Sequence, residues 1–299
     1  MLTVTLIARK GGLEPELVTS LRNAWGGGDA VWLAPDEAAE FPVMERPGNF
    51  GPVRDDVDAQ GVDLNIQTTG HRRKRLLLAD MDSTMIEQEC IDELAAEAGI
   101  GDKVAEITAR AMAGEIQFEG ALEERVALLA GLKSNVIDKV LAERITYAPG
   151  GATLVRTMKA NGARCVLVSG GFTAFADRVS AALGFDKAKA NTLLAAGGRL
   201  TGTVGKPILG RSAKVETLEV EAAALGIDLS ATLAIGDGAN DLGMIDKAGM
   251  GIAVHAKPMV QMEAPLRINH GDLTGVLFLQ GYSSADFNHA APETEDFAV

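Results

Sequence analysis

Leu76-Leu77-Leu78-Ala79-Asp80-Met81-Asp82-Ser83-Thr84 is an apolar tetrad running straight into two carboxylates. Four consecutive apolar residues fit a strand buried on both faces, as in a parallel sheet. Ligands of such sheets gather beyond the C-terminal strand ends, where Asp80 and Asp82 fall. The pattern recurs. Arg164 to Val168 leads into Ser169-Gly170-Gly171-Phe172, and Thr232 to Ile235 leads into Gly236-Asp237-Gly238-Ala239-Asn240-Asp241. Met250 to Val254 reads as a fourth strand. Helical patterns lie between, over 152–160 closing on Asn161-Gly162 and over 172–183 closing on Gly184. This alternation predicts an α/β fold with a parallel sheet covered on both faces.

Two regions depart from it. From Cys90 to Ile145 there are three or four helical patterns and no strand, too long for an ordinary loop, which predicts an inserted helical cap over about 90–147. Residues 1–70 read as a small α+β module, with strands at 2–7, 30–33 and 62–67, a helix at 15–24, and mostly loop from Phe41 to Asp58. The basic run His71-Arg72-Arg73-Lys74-Arg75 reads as a solvated linker into the domain at 71–285. Residues 286–299 form an acidic tail within a polar, frayed end that starts at Ser283.

The 299 residues are 47% hydrophobic and 23% charged, values of a globular chain. A net charge of −13 repels nucleic acid and anionic membranes. No stretch approaches the ~20 apolar residues of a membrane helix, and the start lacks a secretory cleavage pattern. Cys90 and Cys165 cannot build a disulfide framework, so a reducing cytoplasm is expected. Neither G-x-x-x-x-G-K-[ST] nor G-x-G-x-x-G occurs. Four histidines (His71, His255, His270, His289) are dispersed and read as structural.

The three polar strand ends carry the chemistry. Asp80, Asp82, Asp237 and Asp241 on one sheet edge would repel each other without a cation, and hard oxygen donors suit Mg²⁺. A calcium loop starting at Asp80 is rejected: Met85 stands where Gly is required and Ile91 where Glu is. Ser169 supplies a hydroxyl, and Gly170-Gly171 supplies backbone N–H groups at a helix start, an anion site. Lys214, in the first turn of a helix with Val215, Leu218, Ala222 and Leu225, opposes the helix dipole unless an anion is near. Together these imply phosphoryl transfer. One carboxylate acts as nucleophile, and a second, two positions on, moves the proton.

These motifs, in this order, resemble those of the haloacid-dehalogenase-like (HAD) phosphatases. Glu89, Met112-x-Gly114, Phe118-Glu119 and Arg125-Val126 extend the resemblance, over about 75–285, to the phosphoserine phosphatases within them. It implies a Rossmann-like HAD core with a helical cap, and a cytoplasmic enzyme that hydrolyses O-phospho-L-serine in the last step of serine biosynthesis. Asp80 would be nucleophile and Mg²⁺ ligand. Asp82 would be general acid/base, with its carbonyl on the metal, and Asp237 would complete the ligands with Asp241 in support. Ser169, Gly170 and Lys214 would hold phosphate, supported by Gly171, with Asn240 against the substrate. Arg125 and Glu89 would read its carboxylate and ammonium, with Met112 and Phe118 supporting them in the cap. The N-terminal module would be a degenerate ACT-like module, a spacer, or a contact for a homodimer.

Periodicity agrees on one point. Phe118, Leu122 and Arg125 share a helix face, and a guanidinium fork fits a carboxylate. The alternative is an ordinary charge on a solvated face, although the residues three and four before Arg125 are Leu122 and Ala121, so no carboxylate sits there to pair with it. Two other functions stay open: a phosphatase for another small phosphomonoester, and a signalling receiver whose phosphorylated Asp is the output.

Overall fold

The structure is a computed structural model that describes residues 1–112 and 115–289, Met112 by its backbone alone. The chain opens with β1 (Leu2–Ala8), α1 (Pro15–Ala24), β2 (Val31–Ala34), β3 (Ala38–Val43), α2 (Phe50–Asp58) and β4 (Val62–Thr68). The strands form an antiparallel sheet in the order β2-β3-β1-β4. Alternate residues Val4 and Leu6 of β1, and Val62, Leu64 and Ile66 of β4, pack with Val18, Phe50 and Val57 of the two helices.

The loop expected from Phe41 to Asp58 is wrong. It holds the end of β3 and all of α2. Proline, glycine and aspartate obscured that helix, but Pro52 lies in its first turn, where a missing N–H does no harm. Phe50 and Val57 are buried, so packing overrides composition.

The second part begins with β5 (Leu76–Ala79), followed by four helices: α3 (Cys90–Glu97), α4 (Gly101–Met112), α5 (Phe118–Ala127) and α6 (Val136–Glu143). Then come α7 (Gly151–Ala160), β6 (Arg164–Phe172), α8 (Thr173–Leu183), β7 (Lys187–Asn191), β8 (Leu193–Ala196) and β9 (Arg199–Val204). The chain continues through α9 (Arg211–Ala224), β10 (Thr232–Gly236), α10 (Leu242–Lys247), β11 (Met250–Val254), α11 (Pro258–Glu263), β12 (Leu266–Ile268) and α12 (Gly275–Leu279). Six strands pair in parallel in the order β12-β11-β10-β5-β6-β7. β5 is thus flanked by β10 and β6, which sets the three polar strand ends side by side.

Alternation along these strands covers both faces, as the apolar runs predict. Leu77, Ala79, Cys165, Leu167, Leu233 and Ile235 enter one core. Leu76, Leu78, Val166, Val168 and Ala234 enter the other, against Leu218 and Ala222 of α9 and Met244 of α10. β7 and β12 were not anticipated, nor was the β8–β9 hairpin. β7, β9 and β12 lack a continuous apolar run, whereas β8 is apolar throughout but lies outside the parallel sheet with three of its four residues exposed.

Three further expectations are corrected. Ser169 to Phe172 is not a free turn before a helix: β6 continues through it and, after a register shift, pairs Phe172 with Asn191. The basic run is not simply solvated, because Arg72 makes a two-pronged ion pair with Glu40 at 2.6 and 2.9 Å, and the Lys74 ammonium donates to the Ser230 carbonyl at 2.7 Å. The end is not frayed from Ser283: Phe287 packs on Phe278 at 5.2 Å between ring centroids, and the Asn288 N–H donates to Thr157 Oγ1. The last ten residues of the proposed tail lie outside the described residues.

The four-helix insertion leaves and rejoins the core through a short stem. Ile86 bridges Tyr147, and the Ala148 N–H donates to the Met85 carbonyl at 3.0 Å. Among the described residues no helix is long and apolar enough to cross a membrane.

Candidate active site

Asp80 directly follows β5, and Asp237 and Asp241 sit on the turn after β10. The three carboxylates offer oxygens all within 4.8 Å of one another, and all three residues are buried. Lys214 enters from the first turn of α9, 2% exposed, with Nζ 2.6 Å from Asp80 Oδ1 and 2.5 Å from Asp241 Oδ1. Thr84 Oγ1 donates to Asp237 Oδ1 at 3.2 Å, and the Gly238 N–H donates to Asp241 Oδ2 at 3.0 Å. A Cβ at Gly236 would overlap the Asp241 carboxyl, so that strand end must be glycine.

The electrostatics follow from three buried carboxylates around one ammonium. Burial and Asp241 raise the Asp80 carboxyl well above its ordinary value, with Lys214 opposing. Asp237 is pushed up to about 6 by burial, then by Asp241 and Glu89. Burial would lower Lys214, but Asp80 and Asp241 outweigh it and hold the ammonium charged. One cation leaves this hard-oxygen cluster with excess negative charge, so its residues fit a divalent ion such as Mg²⁺.

The Asp82 side chain is not part of that three-carboxylate group, although its charge acts on Asp80. Its Oδ1 accepts the Cys90 N–H at 3.0 Å and its Oδ2 accepts the Ser169 hydroxyl at 3.1 Å. Ser169 Oγ in turn accepts the Gly171 N–H at 2.8 Å, so that amide is committed inside the protein. A Cβ at Gly171 would lie 2.7 Å from Asp82 Oδ2, which accounts for the glycine. Burial, with Glu89 next, pushes Asp82 up to about 6.

Above the cluster, Ser83 carries a left-handed φ of 55°, unusual for a residue with a side chain. Its hydroxyl donates to Glu89 Oε1 at 2.9 Å, just ahead of α3. Arg125, half-buried on α5, donates Nε–H to its own helix at the Ala121 carbonyl. Burial works against its charge, while Asp92 and Glu89 support it. Phe118 reaches the end of β6: a Cβ at Gly170 would lie 3.1 Å from its ring. Asn240 lies half-buried, its Oδ1 over Gly238. The Met112 side chain and Gly114 lie outside the described residues.

Four participants were not singled out from sequence. Thr84 orients Asp237, Ser83 anchors Glu89, and Asp92 of α3 supports the Arg125 charge. Buried Asn191 ties Gly170 to the approach to α9, donating to the Gly170 carbonyl at 2.9 Å and accepting the Leu209 N–H at 2.7 Å. Ser83 and Thr84 directly follow Asp82 in the chain, so their proximity to the site is legible in the sequence. Nothing in the local sequence marks Asn191.

The family model for haloacid dehalogenase-like hydrolases matches residues 77–246. A phosphoserine phosphatase of Streptomyces coelicolor is 48% identical over 266 residues, 88% of this chain, and the chain spans 65% of that relative's length. One from Streptococcus thermophilus is 48% identical over 204 residues, 68% of this chain and 94% of the relative. The solved structure of a HAD family hydrolase from Salmonella enterica serovar Typhi superposes with a TM-score of 0.85 at 29% identity, covering 93% of this chain and 97% of the other. Sheet order, clustered aspartates and these matches lead to one conclusion: the chain belongs to the haloacid dehalogenase-like hydrolase family.

Proposed function

We propose that this chain is a Mg²⁺-dependent phosphatase that hydrolyses O-phospho-L-serine to L-serine and phosphate. The observation carrying the reading is the convergence of Asp80, Asp237, Asp241 and Lys214, with Asp82 held beside Ser169. Asp80 attacks phosphorus, forming an aspartyl phosphate as the bond to the serine oxygen breaks. Asp82 gives its proton to that departing oxygen. It then takes one from the water that attacks the phosphoryl group, which frees phosphate and restores Asp80. A carboxyl poised at about 6 suits both transfers near neutral pH. Lys214, Ser169 and the Gly170 backbone offset charge on the phosphoryl oxygens. Asp80 and Asp237, with the Asp82 carbonyl, would hold Mg²⁺ with Asp241 in support, and the ion supplies electrostatic stabilisation of those oxygens.

The substrate assignment draws on the relatives' names and on two cap residues of opposite charge. Arg125 offers a fork for a carboxylate, and Glu89, held by Ser83, faces an ammonium. Buried, unpaired Cys90 and Cys165 support the reading of a cytoplasmic protein. The test is phosphate release from a panel of small phosphomonoesters, with and without Mg²⁺. O-phosphoserine is expected to lead and an analogue lacking the amino group to fall behind. Equal kcat/KM for the two would overturn the substrate, and release unaffected by chelation would overturn the metal.

A further inference from the structure

β4 turns Val62, Leu64 and Ile66 toward the helices of its own module and Asp63, Asn65 and Gln67 the other way. That second face meets the edge of the parallel sheet. Asn65 makes a two-way pair with the Arg267 backbone, donating Nδ2–H to its carbonyl and accepting its N–H, both at 2.9 Å. Gln67 donates to the Leu279 carbonyl at 2.7 Å. Asp63, 1% exposed, acts differently. Its Oδ1 accepts the Asn269 N–H at 2.7 Å, and its Oδ2 accepts those of His270 and Gly271 at 3.0 and 3.1 Å. Three donors offset part of the desolvation of this carboxylate, although burial still holds its pKa above the ordinary value.

The same turn, three residues on, meets the point where the chain returns from the four-helix insertion. The Leu273 N–H donates to the Pro149 carbonyl at 3.0 Å. Gly150 has φ +80°, and a Cβ there would lie 2.8 Å from both Asp272 Oδ1 and the Thr274 nitrogen. Asp272 Oδ1 itself accepts the Thr274 N–H at 2.7 Å, so the contact surface is held. Next to Gly150 lie Tyr147 and Ala148 of the stem.

Asp58, Asp63 and His270 also bring ligand-type atoms within 4.8 Å of one another. Backbone N–H groups already engage both Asp63 oxygens, however, and the Arg267 guanidinium lies 3.8 Å from Asp58. The grouping therefore reads as a clamp rather than a cation site. We infer that Asp63 is a positioning residue: by fixing the turn at 269–274 it braces the stem, so the N-terminal module sets where Glu89 and Arg125 come to rest over Asp80. The kinetic half of this inference rests on the proposed phosphoserine activity.

The test compares Asp63→Asn with Asn65→Ala in the full chain, by hydrogen exchange and steady-state kinetics. Asp63→Asn places an amide against backbone donors, whereas Asn65→Ala breaks a neighbouring rung and spares the turn. Asp63→Asn is expected to speed exchange at 147–151 and 269–274 by about tenfold, the loss of a hydrogen bond or so. KM for O-phosphoserine should rise several-fold, while kcat/KM for phenyl phosphate, which offers Glu89 and Arg125 nothing to read, should change less than twofold. Asn65→Ala should leave exchange at 147–151 as in the parent. The inference is overturned if Asp63→Asn leaves that stem unchanged, or if Asn65→Ala loosens it equally. If Asp63→Asn does not fold, Asp63→Ser is judged by the same exchange readout. That readout needs no substrate, so a failure of the phosphoserine reading would be told apart from a failure of the brace.

Discussion

Lys214 Nζ lies 2.6 Å from Asp80 Oδ1, joining the first turn of α9 to the end of β5. Both groups are almost wholly buried, where an unpaired charge would cost several kcal/mol. The pair is stable because each charge offsets the other's lost hydration. It also places a fixed cation beside the atom that would attack phosphorus.

Asp80→Asn removes the carboxylate proposed to attack phosphorus and keeps the shape. Turnover of O-phosphoserine should fall at least about 10³-fold, as when other enzymes lose their nucleophile. Phosphate release measures it, and acid-quenched protein should carry no phosphoryl group. An active variant would remove the mechanism.

Lys214→Met leaves three buried carboxylates without their ammonium. Activity should drop about 10²–10³-fold from the lost electrostatic stabilisation. Without divalent ion the variant should melt below the parent, and added Mg²⁺ should raise its Tm by more than it raises the parent's, because the ion then binds a more negative site. Thermal shift across a Mg²⁺ titration checks this, and an equal or smaller shift would argue against a shared metal cluster.

Arg125→Lys keeps the charge but loses the two-pronged geometry. KM for O-phosphoserine should rise about tenfold or more, with little change for esters that lack a carboxylate. Paired kinetics on the two substrate types decide it. A uniform loss on both would make Arg125 structural.

Glu221 tests stability away from the site. Burial would raise its carboxyl, but ion pairs to Lys187 at 2.5 Å and Arg164 at 3.4 Å outweigh burial and hold it below the ordinary 4.5. The native state therefore binds fewer protons than the unfolded chain below about 4.5, and this stabilisation is present above that value and lost as pH falls through the native one. Glu221→Gln should cost about 1–2 kcal/mol at pH 7, reduced because both partners are partly exposed. The gap to the parent should narrow as pH falls below about 4.5, as denaturant melts across a pH series would show.

Much of the site was legible because chemistry and periodicity coincided in short segments. Leu76 to Ala79 had to be a buried strand, and Asp80 then had to sit at its end. Asn191 was not legible, since its partners Gly170 and Leu209 are remote in the chain and meet only through the β6–β7 pairing. Asp92 was missed for a similar reason, because its electrostatic partner lies on another helix.

Local pattern was enough to establish alternating buried strands, polar turns behind them and helices between, because side-chain period and turn chemistry act over a few residues. Folding in three dimensions settled what depends on neighbours across space. It chose β10 and β6 as the flanks of β5, hydrogen-bonded Asp82 to Ser169, and made a helix of the proline-rich segment at 50–58. It also set Asp63 against a turn more than two hundred residues away. Burial and charge compensation are sums over surrounding atoms, and no window of sequence contains them.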